Sequence, residues 1–164
     1  MKSPAFTLLA ATFLVAGADL PAAAAEPKSP GQAVADYARK QEGKKVGSGE
    51  CWDLAAAALD ETGCAWTRPR DFGRALDLKK DALRPGDILQ FENVTLKWRR
   101  GNRFGTIRLG FPQHTAIVLA ADGASVEVAH QNYNNVRKVG TLTLNLAEIT
   151  AGKVAAYRPV AKES

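Results

Sequence analysis

The chain has 164 residues, 46% of them apolar and 24% charged, and its formal net charge of +5 corresponds to a pI near 9.4. No segment reaches the roughly 18 consecutive apolar residues of a transmembrane helix, and no internal repeat is present, which excludes a membrane-spanning or repeat protein. The positive charge favours solubility and attraction to anionic surfaces, but it does not select a partner.

The first 25 residues have the three-part layout of a secretory signal peptide. A positive charge at Lys2 precedes a short apolar run at 5–18, and small residues follow as far as Ala25. Cleavage after Ala18 or after Ala25 would each satisfy the small-x-small rule, and the sequence does not choose between them. We therefore expect an exported protein, secreted or periplasmic, whose residues 26–164 form a single domain.

Two helices are predicted before any strand, at 30–42 and 51–62. The first has one apolar side, and the second contains four consecutive alanines and ends before Gly63, a typical C-terminal cap. Ser48, in the glycine-rich loop between them, is the predicted N-cap of the second helix. This assignment places the thiol of Cys51 in the first helical turn.

The rest of the chain is predicted to be mostly strand. Five strands are expected at 87–94, 114–119, 125–130, 141–144 and 154–158, with one short helical turn within 145–153. Helices followed by strands with short turns imply an α+β domain, in which N-terminal helices pack on a mostly antiparallel sheet of about five strands.

Positive charge is concentrated in the segment KWRRGNR at 97–103, around Trp98. We interpret this segment as a solvated loop or hairpin tip, or alternatively as a flap in which Trp98 contacts substrate. An anionic polymer is then a candidate partner, whereas no nucleic-acid-binding motif supports a nucleic acid.

Cys51 and Cys64 are the only cysteines, and in an exported protein a disulfide is the first expectation. An intact helix between them would hold the two sulfurs roughly 15–20 Å apart, whereas a disulfide needs Cα atoms within about 7 Å. We therefore predict two free thiols.

A thiol at a helix N-terminus is in a setting that favours thiolate, and the free amides there can form an oxyanion hole. Its base would have to be His114 or His130, the only histidines, which lie in one predicted hairpin. A three-residue turn at 121–123 would pair His114 with His130, whereas a two-residue turn would pair it with Gln131. We favour the first, but either one places a hydrogen-bonding side chain beside His114.

The order of the segments GECWDLA, LRPGDILQF, PQHTAIVL and VEVAHQNYN resembles the cysteine peptidases and amidases of the CHAP and NlpC type, which are small papain-like domains. The resemblance covers about residues 31–159. It implies that Cys51 is the nucleophile and His114 the general base. It also implies that His130 stands where CHAP domains usually have glutamate, and that Asn132 matches their asparagine. The same segments resemble the cysteine-proteinase-fold domain at the end of certain fungal actin-patch proteins, for which no activity is assumed.

The sequence departs from the peptidase pattern at several points. A histidine as orienting residue supplies less negative charge than glutamate to stabilise an imidazolium. Trp52 and Asp53 differ from the residues usual after the nucleophile, and Trp52 could either shape or close a substrate pocket. The stretch 95–111 is a longer and more basic insertion than a minimal domain needs.

Two hypotheses follow from the sequence. The first is an exported cysteine hydrolase of peptide or amide bonds, acting on cell-wall peptides. The second is an inactive papain-like module that binds an anionic partner. A zinc site of Cys51, His114 and His130 ranks below both, because the short ligand spacings of structural zinc sites and the His-Glu motif of zinc hydrolases are missing. We expect no metal, no cofactor and a monomer.

Overall fold

A computed structural model of the protein describes residues 28–67 and 71–163. The predicted signal peptide, residues 1–25, lies outside the described residues. None of the helices described is both long enough and apolar enough to cross a bilayer.

The described chain contains two helices followed by strands. The helices are α1 (Pro30–Lys40) and α2 (Cys51–Glu61). The strands are β1 (Cys64–Ala65), β2 (Arg74–Leu76), β3 (Ile88–Arg100), β4 (Arg103–Asp122), β5 (Ser125–His130), β6 (Gly140–Asn145), β7 (Ile149–Arg158) and β8 (Val160–Ala161), with a short 3₁₀ helix, Leu146–Glu148, before β7.

Six of these strands form one antiparallel sheet in the order β2-β7-β3-β4-β5-β6, and β1 pairs with β8 separately. The predicted α+β class is confirmed, as is the mostly antiparallel sheet. The predicted number of about five strands is too low, because two- and three-residue strands such as β1, β2 and β8 are too short to show a period-two pattern.

Both helices pack on one face of the sheet. Val34 of α1 and Leu54 and Leu59 of α2 form one core with Ile88 and Ile117 of the sheet. A second core lies on the opposite face, where alternate residues of the same strands, including Leu89, Phe91, Ala116, Val118 and Val128, pack together. The segment AIVL at 116–119 of β4 is buried on both faces, which is why it is continuously apolar rather than alternating.

The Pro-Gly-Asp turn before β3 positions a buried carboxylate. Asp87 accepts hydrogen bonds from the guanidinium of Arg158 at 2.9 and 2.8 Å, and one from the backbone N–H of Arg84 at 2.8 Å. This bidentate ion pair joins the start of β3 to the end of β7. Bidentate arginine–carboxylate pairs are stronger than hydrogen bonds between neutral groups.

The basic insertion 95–111 extends β3 and β4 into one long hairpin whose two-residue tip is Gly101-Asn102. The hairpin-tip interpretation of 97–103 is therefore correct. The predicted end of the strand near Val94 is a β-bulge, with Asn93 at φ 51° and Gly110 at φ 70°. A Cβ on Gly110 would lie 2.3 Å from the carbonyl oxygen of Phe91, so only glycine fits there.

The β4–β5 pairing differs from both predicted registers. The turn is Gly123-Ala124, one bulge lies between Val118 and Ala120, and Ala116 rather than His114 opposes His130. At His130 the favoured prediction was wrong by two residues, because the later turn shifts the register by three residues and the bulge reduces that shift by one. A shift of two residues preserves the sheet face, so His114 and His130 are still diagonal neighbours on one face.

Candidate functional site

Cys51 is the first residue of α2 and so lies in the first helical turn, as predicted, where it is half-buried. The N-cap is Glu50, not Ser48, which lies too far from the first turn. The Ser48 hydroxyl instead donates to Oδ2 of Asp53 at 2.7 Å, and the same oxygen accepts the Glu50 N–H at 3.0 Å. Glu50 and Asp53 have the three-residue spacing of a capping box. This spacing was the sequence signal that α2 begins at Cys51.

The two cysteines are free, as predicted. Cys64 lies beyond the other end of α2, where it is fully buried and its sulfur is 3.3 Å from the hydroxyl of Thr62. Of the two thiols, only Cys51 is within reach of solvent.

The imidazoles of His114 and His130 are in direct contact. Nε2 of His114 lies 3.2 Å from Nδ1 of His130, and each residue is only 6% exposed. The ring of Tyr133, which sequence reasoning missed, lies 6.1 Å from the ring of His114 and 5.2 Å from that of His130. Asparagines at positive φ turn the chain on either side of Tyr133. This Asn-rich turn was the only sequence signal that Tyr133 lies beside the histidines.

Burial keeps both imidazoles neutral near pH 7. Desolvation, with a smaller contribution from the neighbouring His130, lowers the pKa of His114 to about 4. Desolvation also lowers the pKa of His130. A neutral pair can share only one N–H across the 3.2 Å contact, so one ring donates and the other accepts.

Gln131 holds the loop that precedes Cys51. Its side chain is completely buried, and its Oε1 accepts the Val46 N–H at 2.8 Å. Its Nε2 donates to the carbonyl oxygens of Val46 at 3.0 Å and Glu50 at 2.9 Å. Gln131 is therefore a clamp for the loop, rather than the imidazole partner that one predicted register would have made it.

Asn132 also faces this loop instead of the imidazole pair. Its Nδ2 donates to Oε2 of Glu50 at 2.7 Å, while Oε1 of Glu50 is 2.8 Å from Nη1 of Arg137. Asn132 was predicted to belong to the catalytic group, but its side chain contacts Glu50, the N-cap residue of α2. Together with Gln131, it joins the end of β5 to the residue before Cys51.

The hydrogen bond from Gln131 to Glu50 connects the residue after His130 with the residue before Cys51, but the thiol itself is not hydrogen-bonded to an imidazole. Nothing in the described ranges bonds to the Cys51 sulfur, neither His114 nor His130. Since Nε2 of His114 is engaged with His130, the ring nitrogen that remains for the thiol is Nδ1. In cysteine hydrolases this contact is often long until substrate binds.

The two predicted substrate-binding tryptophans lie in different regions. Trp52 follows Cys51 directly on α2 and is 36% exposed. Trp98 lies on the long hairpin, where its ring covers Gly105, and it lines a cavity with Arg100 and Glu148. The structure therefore brings Trp52, but not Trp98, to the cysteine.

A cavity of about 230 Å³ lies beside the imidazole pair and is lined by His130, Tyr133, Asn134, Val136, Lys138 and Gly140. A larger cavity of about 640 Å³ lies between 78–83 and the β4–β5 turn, away from these residues. Over the described part of the chain, no three histidine, cysteine or acidic side chains are grouped to hold a metal ion.

Comparison with known proteins identifies the family of this chain. Residues 23–164 match the family described as the AIM3/BBC1 cysteine proteinase-fold domain. The chain belongs to this family. Its sequence is also 34% identical, over 149 residues, to altered inheritance of mitochondria protein 3 of Debaryomyces hansenii. The match covers 79% of this chain but 16% of that relative, so the chain corresponds to a small part of it.

Two solved structures are more distantly similar to this chain. The crystal structure of Ly7917 aligns with 80% of this chain and 63% of its own, at 20% identity and a TM-score of 0.44. The crystal structure of Ly7917 with the hydrolyzing product of MDP aligns with 79% and 63%, at 21% identity and a TM-score of 0.45.

Proposed function

We propose that this cysteine-proteinase-fold domain is a thiol hydrolase of peptide or amide bonds. The observation that carries the proposal is the contact between His114 and His130, at the end of the sheet tied to the start of the Cys51 helix. A buried, oriented imidazole near a half-buried thiol at a helix N-terminus is the arrangement that nucleophilic catalysis needs.

The first chemical step follows from these positions. The Cys51 sulfur would attack the substrate carbonyl carbon while its proton passes to Nδ1 of His114. His130 would hold the His114 ring through Nε2. Backbone N–H groups of the first turn of α2 would stabilise the oxyanion.

Collapse of the intermediate would break the C–N bond and return the proton from His114 to the leaving amine. Water, deprotonated by His114, would then release the acid from the Cys51 thioester.

The charge beside the site indicates the substrate class. The cavity beside His130 is bordered by Lys138, which favours a substrate that carries a carboxylate. Peptide stems of cell walls have such groups, and the predicted export through residues 1–25 would bring the protein to them. Trp52 is the proposed contact for the substrate next to the nucleophile.

The direct test is hydrolysis by the purified domain. Wild type is incubated with cell-wall fragments and with a general peptide library, and new termini are identified by mass spectrometry. Cys51→Ala and His114→Gln should each abolish turnover, whereas Cys64→Ala, which removes only the buried thiol, should retain it. Turnover that survives Cys51→Ala would overturn the proposal.

Thiol labelling needs a different control, because Cys64 is buried and would react slowly for that reason alone. The informative comparison is the alkylation rate of Cys51 in wild type and in His114→Gln. If His114 acts on the thiol, the rate falls about tenfold or more in the variant. An equal rate in the two proteins would argue against a coupled pair.

A second candidate function is an inactive papain-like module that binds without turnover. Two observations favour it: the thiol has no hydrogen bond to an imidazole, and the pKa of His114 near 4 makes it a weak base at neutral pH. His130→Glu separates the two candidates. A carboxylate there should raise the pKa of His114, so it would increase turnover in a hydrolase and create none in an inactive module.

A further inference from the structure

The outer part of the long hairpin is a two-stranded ribbon. β3 pairs with β7 only as far as Leu96, and β4 pairs with β5 only from Ala116 onward. From Lys97 to Thr106, therefore, β3 and β4 pair only with each other and with no third strand. Such a ribbon has two faces, and their side chains differ sharply.

One face turns toward the body of the domain. Leu96 opposes Ile107, and Trp98 lies against Gly105. Arg100 forms an ion pair with Glu148 of the 3₁₀ helix. Leu96, Trp98 and Arg100 thus have partners within the domain, whereas Arg103, next to the tip, is exposed.

The other face, which we call the basic face, consists of three cross-strand pairs: Thr95 with Arg108, Lys97 with Thr106, and Arg99 with Phe104. All of these residues except the half-buried Thr95 are exposed. No ion pair joins Lys97, Arg99 or Arg108 to an acidic side chain in 28–67 or 71–163. The whole insertion 95–111 contains no aspartate or glutamate.

Phe104 distinguishes this surface from an ordinary solvated hairpin. Its side chain is 81% exposed, and it lies three residues after Gly101 at the ribbon tip. An unpaired aromatic side chain next to a row of cations is the pattern by which peripheral proteins bind anionic bilayers. The cations attract the lipid headgroups, and the apolar side chain enters the interface.

We propose that the basic face is a docking surface for an anionic lipid bilayer. Lys97, Arg99 and Arg108 would contact the headgroups, while Phe104 would insert between them. This binding does not need Cys51, so the proposal can be tested independently of hydrolysis.

The test is flotation of the purified protein with vesicles of phosphatidylcholine alone, or of phosphatidylcholine mixed with phosphatidylserine. We expect binding only to the mixed vesicles, weakening as salt is added. The triple variant Lys97→Gln, Arg99→Gln, Arg108→Gln should weaken binding by roughly a hundredfold, since each cation near an anionic surface contributes about fivefold. Phe104→Ala should weaken it by about tenfold, and Phe104→Trp should restore it.

The matched control removes the same charge elsewhere. Lys40→Gln, Lys79→Gln, Lys162→Gln changes three exposed lysines outside the ribbon, and should weaken vesicle binding far less than the basic-face triple variant. Cys51→Ala should bind like wild type.

Three results would overturn the proposal. The first is equal binding by the two triple variants, which would indicate attraction by net charge alone. The second is binding that is insensitive to Phe104→Ala. The third is binding to an acidic polymer such as heparin or RNA without binding to mixed vesicles, which would assign the surface to a different partner.

Discussion

The strands β3 and β4 carry two regions of opposite character. At the inner end, around His114, polar side chains are buried, and no buried side-chain nitrogen or oxygen in the described structure lacks a hydrogen-bond partner. At the outer end, beyond the bulge at Asn93, the cations of the basic face are exposed and have no acidic partner among the described side chains.

The difference shows what each region is built to do. Buried polar groups are costly unless every one is paired, so the inner region fixes a single geometry. Exposed cations contribute little to folding, so their sequence is free to serve an external contact. Substitutions at the inner end should therefore change stability, and substitutions at the outer end should change binding.

The largest effect is expected at Gln131. Gln131→Leu keeps the volume but leaves the N–H of Val46 unpaired. It also removes one of the two hydrogen bonds to each carbonyl oxygen of Val46 and Glu50, which still accept backbone N–H groups. An unpaired buried N–H destabilises a protein by about 1–3 kcal/mol and each lost hydrogen bond by about 0.5–1.5 kcal/mol, so we expect a loss of about 4 kcal/mol in the free energy of unfolding by urea. Gln113→Leu, the same change at a half-buried site, should cost under about 1 kcal/mol. Equal losses in the two variants would mean that Gln131 is not a clamp.

The next effect is a dependence of stability on pH. Because the pKa of His114 is about 4 in the folded protein and about 6.5 in the unfolded chain, the unfolded chain binds more protons between these values. The contribution of neutral His114 to the free energy of unfolding is therefore complete above about pH 6.5 and is lost as the pH falls toward 4. We expect the free energy of unfolding to decrease by about 2–3 kcal/mol over this window. His114→Gln should flatten that part of the profile, and an unchanged slope would contradict the assignment.

The contrast between the regions also explains what the sequence could predict. The helix that begins at Cys51 and the strands around His114 and His130 were predictable, because alanine runs and apolar periods are local signals. The contacts of Gln131 with Val46 and Glu50 join residues more than 80 positions apart, and no local pattern encodes them. The β4–β5 register was missed because the turn is at Gly123-Ala124 rather than at the predicted 121–123, and because the bulge in β4 depends on packing across strands rather than on the turn residues.

A smaller effect is expected where the ribbon meets the domain. A Cβ on Gly105 would come within 2.6 Å of the Trp98 ring, so Gly105→Ala must displace that ring. We expect a loss of about 1–2 kcal/mol, measured by urea unfolding. Gly140→Ala, at a strand position with no atom within 4 Å of the new Cβ, should change stability by less than about 1 kcal/mol. If the two variants were equally stable, Trp98 would not be packed on Gly105.

The smallest effect is expected at the basic face, and it is the one that separates the two regions most clearly. Lys97→Gln, Arg99→Gln, Arg108→Gln removes three exposed cations that have no acidic partner among the described side chains, so the folded state loses no ion pair. Each surface change of this kind is usually worth less than about 0.5 kcal/mol, and relief of repulsion among the three cations can offset it. We therefore expect the urea midpoint of the triple variant to match that of wild type, even though its vesicle binding is lost. A marked loss of stability would show that these cations have partners within the protein, and the basic face would then belong to the same kind of internal network as the region around His114.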